Sequence, residues 1–537
     1  MFVRTLAVSV AALLVSVPAG ADTYPRQPAV DAIHYVFRLT VEDTSNRIAG
    51  ETTMTFRLTA AVPELWLDIA SATPDGKGMT VTAVTVGGGS AAFTHAKNRL
   101  RIPLPATAKA GDELQAVVTY AGIPANGLRL IPNIHGERTM FSENWPNRAR
   151  EWLPMIDHPY DKATGEFIVT APAHYQVIAN GRLVEEVDVA PGVRRTHWKQ
   201  SVPIASWLYA LGVARFSVHH YDVVRGIPQE VWVFPQDREK GYDIFELRGR
   251  QAFEFFSEWI GPYSYEKLAH VQAAGINGGT EHASNIFYGE KGVASGRAPV
   301  VHEVAHQWFG DAVTEKDWDD VWLSEGFATY FTHLFNEHFS GRDAFVRGLK
   351  EDIPIILAGQ KAMPDEPVIH RNLSDMGEVL NRLVYQKGGW VLHMLRGTIG
   401  TDKFWTGIRE YYRRYQNQNA STDDFRQVME AASGMPLSWF FDQWLKRPGL
   451  PTLRGSWRFD AAAKQVRIEL AQTQAGAPYR LPLDVGLASA NGQSRVEKVE
   501  LTAESGQFTI AAAEEPASVS LDPNTWVLMQ VTEFVKR

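Results

Sequence analysis

The chain has 537 residues, with 53 Lys and Arg against 61 Asp and Glu, a formal net charge of −8 and no cysteine. Its 45% hydrophobic and 21% charged residues exclude wholesale disorder and a multi-span membrane protein, and the acidic balance carries no electrostatic footprint for nucleic acid. Without cysteine, disulfides, zinc ribbons and thiol catalysis are excluded, so any metal site must be built from His and carboxylates.

Residues 1–21 place Arg4 ahead of an apolar run from Leu6 to Val17, then Pro18 and the small residues Ala19-Gly20-Ala21 before Asp22. This pattern predicts an export leader cleaved after Ala21. The apolar run, about 12 residues, is short of the ~20 that span a bilayer. The mature chain is therefore expected to have no membrane span and to lie in the periplasm or outside the cell.

The remaining length suits several domains. Over residues 22–218, Tyr35, Phe37, Leu39 and Val41 alternate with polar residues, and Thr52, Met54, Phe56 and Leu58 repeat the pattern. Many such short runs predict an antiparallel N-terminal β domain. Over 219–447, after one strand-like stretch at Glu230–Phe234, the spacing predicts helices at 244–259, 297–309, 320–339, 376–399, 402–416 and 422–432. Alternation returns over 448–537, as in Val466, Ile468 and Leu470, with Asn491-Gly492 marking a hairpin. The expected fold class is multidomain α+β: a β domain, an α/β catalytic domain and a small C-terminal β domain.

The middle region contains His302-Glu303-Val304-Ala305-His306, an HExxH pattern. On a helix, positions i and i+4 share a face, so both imidazoles can reach one ion. Glu303, about 100° round the helix, can sit over the ion's open side. Glu325 follows 19 positions after His306, in a second helix with Phe327, Tyr330 and Leu334 on its apolar stripe. Two helices joined by a short turn would set its carboxylate against the histidines. Two His and one Glu leave a fourth position for water, the layout of a catalytic rather than a structural zinc site. In that reading one zinc ion polarises the water, and Glu303 takes its proton and passes it to a leaving amine. The chemistry is hydrolysis of a carbonyl compound, most simply a peptide.

The stretches HEVAHQWFGDAVT (302–314) and WDDVWLSEGFATYF (318–331) closely resemble the aminopeptidase N family of zinc gluzincins, peptidase family M1. Further similarity covers Ala149–Pro154 through Asp161–Thr164, Tyr385-Gln386-Lys387-Gly388 and Phe441-Asp442-Gln443-Trp444-Leu445. The resemblance implies a saddle-like β domain, a thermolysin-like catalytic domain and a β-sandwich. The large helical final domain of longer members is expected to be absent. It implies that Tyr385 donates its hydroxyl to the oxyanion, whereas spacing alone favours a core tyrosine on an amphipathic helix. It also implies that Gly278-Gly279-Thr280-Glu281-His282 matches a Gly-x-Met-Glu-Asn segment, so that Glu281 binds the substrate's free α-amine and Gly278, Gly279 and Thr280 flank the substrate. Thr280 and His282 depart from that pattern. A pair of polar N-domain residues faces the same amine in the family; the matching positions here are Glu143 and Trp145. Trp145 cannot accept a hydrogen bond from an ammonium, so it either faces the cation with its ring or packs a domain seam.

The reading that results is an exported zinc aminopeptidase acting on peptides with a free N-terminus. Three rivals differ in what Glu281 and the zinc site do. An endopeptidase is favoured if Glu281 stays out of the site. A leukotriene-hydrolase-like dual enzyme would need the helical domain. A non-catalytic peptide-binding protein is disfavoured by the joint presence of His302, Glu303, His306, Glu325 and Tyr385.

Overall fold

A computed structural model describes residues 22–537; the expected leader at 1–21 lies outside them. The N-terminal domain is dominated by an eight-stranded sheet. Its central strands are Val30–Thr40, Ile48–Leu58 and Glu113–Ile123 on one side and Ala163–Pro172 and Val193–Ile204 on the other. The alternation works as expected: Tyr35, Phe37 and Leu39 are buried while their neighbours face outward. The purely antiparallel expectation needs correction. Val30–Thr40 pairs in parallel with Ala163–Pro172, and a parallel pair needs a long crossover. That crossover carries the strands Leu128–Pro132 and Arg138–Ser142, which join Gln176–Ala179 and Leu211–Ala214 in a second, four-stranded sheet.

Strand Ser217–Val224 opens the middle region, whose sheet runs in the order Ser217–Val224, Ile227–Val233, Leu268–Ala273, Asn285–Gly289, Gly279–Thr280. The single strand expected at Glu230–Phe234 is thus one of five. Leu268–Ala273 was not foreseeable from alternation because all six residues are buried, as in parallel strands covered on both faces. α1 (Arg238–Trp259) packs on this sheet and α2 (Val300–His306) meets its Gly279–Thr280 edge, while α3 (Trp322–Ser340), α4 (Arg342–Ala362), α5 (Gly388–Ile399), α6 (Thr401–Tyr415) and α7 (Thr422–Ser433) pack on one another and extend the helical layer from α2. The sequence reading has no counterpart to α4, which contains Pro354, a residue that argues against a helix interior. The stretch expected as one helix over 376–399 is broken: a 3-10 turn at Met376–Glu378, a π-helical turn at Leu383–Lys387, then α5.

The C-terminal part has a four-stranded sheet that includes Thr452–Asp460 and Gln465–Gln472, and a three-stranded sheet around Leu481–Ala488. Val466, Ile468, Leu481 and Leu483 from the two sheets belong to one buried core. Asn491 and Gly492 lie in the connection between Leu481–Ala488 and its antiparallel partner Ser494–Leu501. No helix among the described residues is long and apolar enough to cross a membrane.

Candidate active site

Two short-range rules place the two histidines. One turn of α2 separates them, and the chain then reverses at Gly310, whose φ of 112° falls where glycine is favoured. This delivers α3 with Glu325 in its first turn. The Nε2 atoms of His302 and His306 lie 3.1 Å apart, and Glu325 Oε2 lies 3.3 Å from each. Tetrahedral bonds of about 2.0–2.1 Å to zinc require donor atoms about 3.3 Å apart, so the three donors fit the ion. Among the described residues this is the one group of three His or carboxylate side chains that converges in this way. The Nδ1 of His306 lies 3.2 Å from the Phe309 carbonyl and 3.1 Å from Ser324 Oγ. With Nδ1–H donating to the carbonyl, Nε2 keeps its lone pair for a metal.

Around this centre stand two groups suited to acid–base work. The Tyr385 hydroxyl donates to Glu325 Oε1 at 2.8 Å from the π-helical turn, a local widening frequent at functional sites. Burial and then the Glu325 carboxylate hold its phenol well above the usual value, so it is a hydroxyl donor at neutral pH. Glu303 is buried, 5% exposed, and no described residue donates a hydrogen bond to its carboxylate. It lies against Gly279: a β-carbon there would stand 2.5 Å from Glu303 Cγ, Cδ and Oε1. Burial, followed by the charges of Glu281 and Glu325, raises its pKa well above the carboxylate range against the pull of His306. A shift in that direction moves a carboxylate toward the range of a base at neutral pH.

The segment expected to meet the substrate's amine lies at the margin of the sheet. Gly279–Thr280 pairs on one side only, with Asn285–Gly289, and the Gly278 carbonyl accepts from Gly289 N at 2.9 Å. The free side of such an edge can take an extended peptide as one more strand. Glu281 follows directly, 5% exposed, and its Oε1 accepts from Trp207 Nε1 at 3.2 Å. Its backbone carbonyl accepts from Gln307 Nε2 at 2.9 Å, tying it to the end of α2. His282 does not face the cleft. It is fully buried with Nδ1 3.1 Å from the Trp207 carbonyl, so residues 281 and 282 clamp the same tryptophan. Burial lowers the His282 pKa to about 4, which keeps the ring neutral.

Glu143, Trp145, Glu281, Glu325 and Tyr385 line one cleft together with Arg129. Glu143 is held by two guanidinium groups: Arg129 Nη2 at 2.9 Å, and Arg148 on the same oxygen. Its negative charge is therefore already compensated from inside the protein. Trp145 packs edge-on to Trp207 and Trp318, with ring centres 5.3 and 4.8 Å apart. It both lines the cleft and fills the seam between the N-terminal and middle regions. Sequence reasoning missed Trp207, Arg129 and Arg148. Arg148 lies within two residues of the family-like Arg150, but nothing local signals the other two.

Comparison with known proteins places this arrangement. The model of the peptidase M1 N-terminal domain matches residues 31–208, and that of the peptidase family M1 domain matches residues 249–444. Glutamyl aminopeptidase of Homo sapiens is 30% identical over 337 residues, and that of Bos taurus 28% over 335; each alignment covers 58% of this chain and 34% of the relative. The chain thus spans about a third of the length of the curated relatives it matches. The crystal structure of Legionella pneumophila aminopeptidase A in complex with aspartic acid has the same fold: TM-score 0.81 at 17% identity, covering 95% of this chain and 60% of that one. With both family models matched in order along it, the chain belongs to peptidase family M1.

Proposed function

We propose that the protein is an exported zinc aminopeptidase that removes N-terminal residues from peptides. The observation that carries the reading is the place of Glu281. A buried carboxylate closes one end of an unpaired sheet edge, in the same cleft as the Glu325 and Tyr385 side chains. His302, His306 and Glu325 would hold zinc, which supplies Lewis-acid polarisation of water and of the scissile carbonyl. Glu303 accepts the proton of the attacking water and returns it to the departing amine. Tyr385 turns its hydroxyl from Glu325 to the developing oxyanion. The Gly279–Thr280 edge holds the peptide extended, and Glu281 pairs with its α-ammonium at charge-assisted strength. Export follows from the leader pattern at residues 1–21.

The cleft wall favours a particular first residue. Arg129, Arg148 and Glu143 sum to one positive charge, and among the described residues Arg148 Nε and Nη2 have no hydrogen-bond partner. Two spare donors on one guanidinium suit a carboxylate. The relatives' name, glutamyl aminopeptidase, agrees with an acidic first residue. Metal analysis with an aminoacyl-arylamide assay tests both parts. Purified protein should hold one zinc per chain and lose it in His302→Ala, and Glu303→Gln should keep zinc while losing about three orders of magnitude in turnover. Glutamyl and aspartyl arylamides should outrun leucyl arylamide, and Arg148→Ala should erase that preference. Hydrolysis undiminished in Glu303→Gln would sink the mechanism; leucyl preference in the wild type would sink only the acidic subsite.

A further inference from the structure

The backbone nitrogen of Asp22 is buried against a carboxylate: it donates to Asp317 Oδ1 at 2.8 Å, with Asp22 7% and Asp317 8% exposed. Asp22 is also the residue that follows Ala19-Gly20-Ala21, the small residues at which the leader pattern predicts cleavage. Its side chain is fixed as firmly as its nitrogen. Oδ2 lies 2.7 Å from His158 Nε2 and accepts from Trp318 N at 3.0 Å, while Oδ1 accepts from Tyr24 N at 3.0 Å. Thr23 N donates to the Leu373 carbonyl at 3.0 Å. Residues 22 and 23 are therefore seated between the N-terminal β domain, through His158, and the helical region, through Asp317, Trp318 and Leu373.

The charges at this seat do not balance. Asp22 and Asp317 bring two negative charges, and Arg26, paired to both, brings one positive. His158 is almost wholly buried, and burial lowers its pKa despite Asp22, so it adds no cation at neutral pH. The neighbouring Asp319 carboxylate, which accepts from Asn372 N and Leu373 N, adds a further negative charge. An amide N–H at residue 22 satisfies one lone pair of Asp317 and supplies no net charge. An α-ammonium at the same atom supplies one positive charge and two more protons, and a buried carboxylate is costly unless it is so paired.

We infer that cleavage after Ala21 creates an α-ammonium on Asp22 that docks on Asp317 as a buried ion pair, locking the mature N-terminus across the seam of the two domains. In the step, a leader peptidase adds water across the Ala21–Asp22 peptide bond. The hydroxyl goes to the Ala21 carbonyl carbon, and the freed Asp22 nitrogen takes the hydrogen and one further proton. The seat adjoins the cleft, because the ring of Trp318 contacts Trp145 and Trp207, and Trp207 holds Glu281. The inference rests on the leader reading but not on the peptidase activity, and its readouts are independent of catalysis.

Three measurements on the full mature protein test it. N-terminal sequencing of the exported protein should give Asp22 as the first residue; another start overturns the inference. Protein beginning at Asp22 should melt about 3–5 °C above the same chain preceded by Gly-Ser, and Asp317→Asn should abolish that gap. Equal melting of the two wild-type forms, or an equal drop of both on Asp317→Asn, contradicts the ion pair. Should Asp317→Asn fail to fold, wild type alone suffices. At pH 7 an N-terminal acylating reagent should modify Asp22 at least about 100-fold more slowly in the native protein than in urea, protection on the scale that an ion pair of this strength confers. Comparable rates in the two states would overturn it.

Discussion

Gly326 and Gly388 meet where α3 crosses α5, so closely that a β-carbon on residue 326 would stand 2.9 Å from the Gly388 carbonyl carbon. Each glycine neighbours a working side chain: Glu325 precedes the first, and Tyr385 lies one turn before the second. The close approach of the two backbones is what lets the Tyr385 hydroxyl reach Glu325 at 2.8 Å. A methyl group at residue 326 would press on backbone atoms, which cannot move aside as a flexible side chain can. Gly326→Ala should therefore cost about 1–3 kcal/mol of stability, read in a denaturant melt, and lower turnover with zinc retained. Wild-type stability in that variant would show that the crossing is looser than described.

Tyr385 itself should be separable from the metal. Tyr385→Phe removes one hydroxyl from a ring that stays packed, so zinc and substrate affinity should hold. Turnover should fall by about 2.7–4 kcal/mol of transition-state stabilisation, the scale of one oxyanion donor. A rise in the Michaelis constant alone would assign the tyrosine to binding.

Gly279 is the most sensitive position in the substrate edge. A β-carbon there would stand 2.5 Å from three Glu303 atoms and force that side chain to move. Since a displacement of about 1 Å can cost about 10²-fold in rate, Gly279→Ala should lose at least that much turnover while the zinc content stays at one per chain. Full activity would place the base elsewhere.

Trp207→Phe tests the support of the amine anchor. Phenylalanine keeps an aromatic ring against Trp145 and Trp318 but removes the Nε1–H bond to Glu281 Oε1. A hydrogen bond to a charged group contributes about 1.5–3 kcal/mol, so kcat/KM on free peptides should fall roughly 10- to 100-fold, chiefly through KM. An unchanged KM would mean that Glu281 is held in place by its backbone bond to Gln307.

What the sequence disclosed about this site follows from how local each feature is. His302 and His306 are one helical turn apart, so spacing alone placed them on one face. The short turn expected before Glu325 is instead a longer connection that carries the strand Val313–Glu315 and a 3-10 turn at Trp318–Asp320, yet it still brings Glu325 to the histidines. Tyr35, Phe37 and Leu39 announced their strand because one face meets the core and the other does not. Leu268–Ala273 is buried on both faces and left no such rhythm. Helix α4 was hidden by Pro354. The contact of Trp207 with Glu281 joins residues 74 positions apart, and no periodicity records a pairing of that range. Arg129 reaches Glu143 from 14 positions away and Arg148 from 5, but neither spacing belongs to a helix or strand period that would mark the pairing.

Glu281 measures the peptide from its free end, and hydrolysis rates on matched free and N-acetylated peptides are the decisive readout. Acetylation removes the positive charge that a buried carboxylate requires and adds bulk where the cleft ends. Breaking such a charge pair costs about 2–5 kcal/mol, so wild type should cut the free peptide roughly 30- to 1000-fold faster, and Glu281→Ala should lose most of that discrimination with zinc still bound. Equal rates on free and acetylated peptides by the wild-type protein would contradict the account and make the enzyme an endopeptidase.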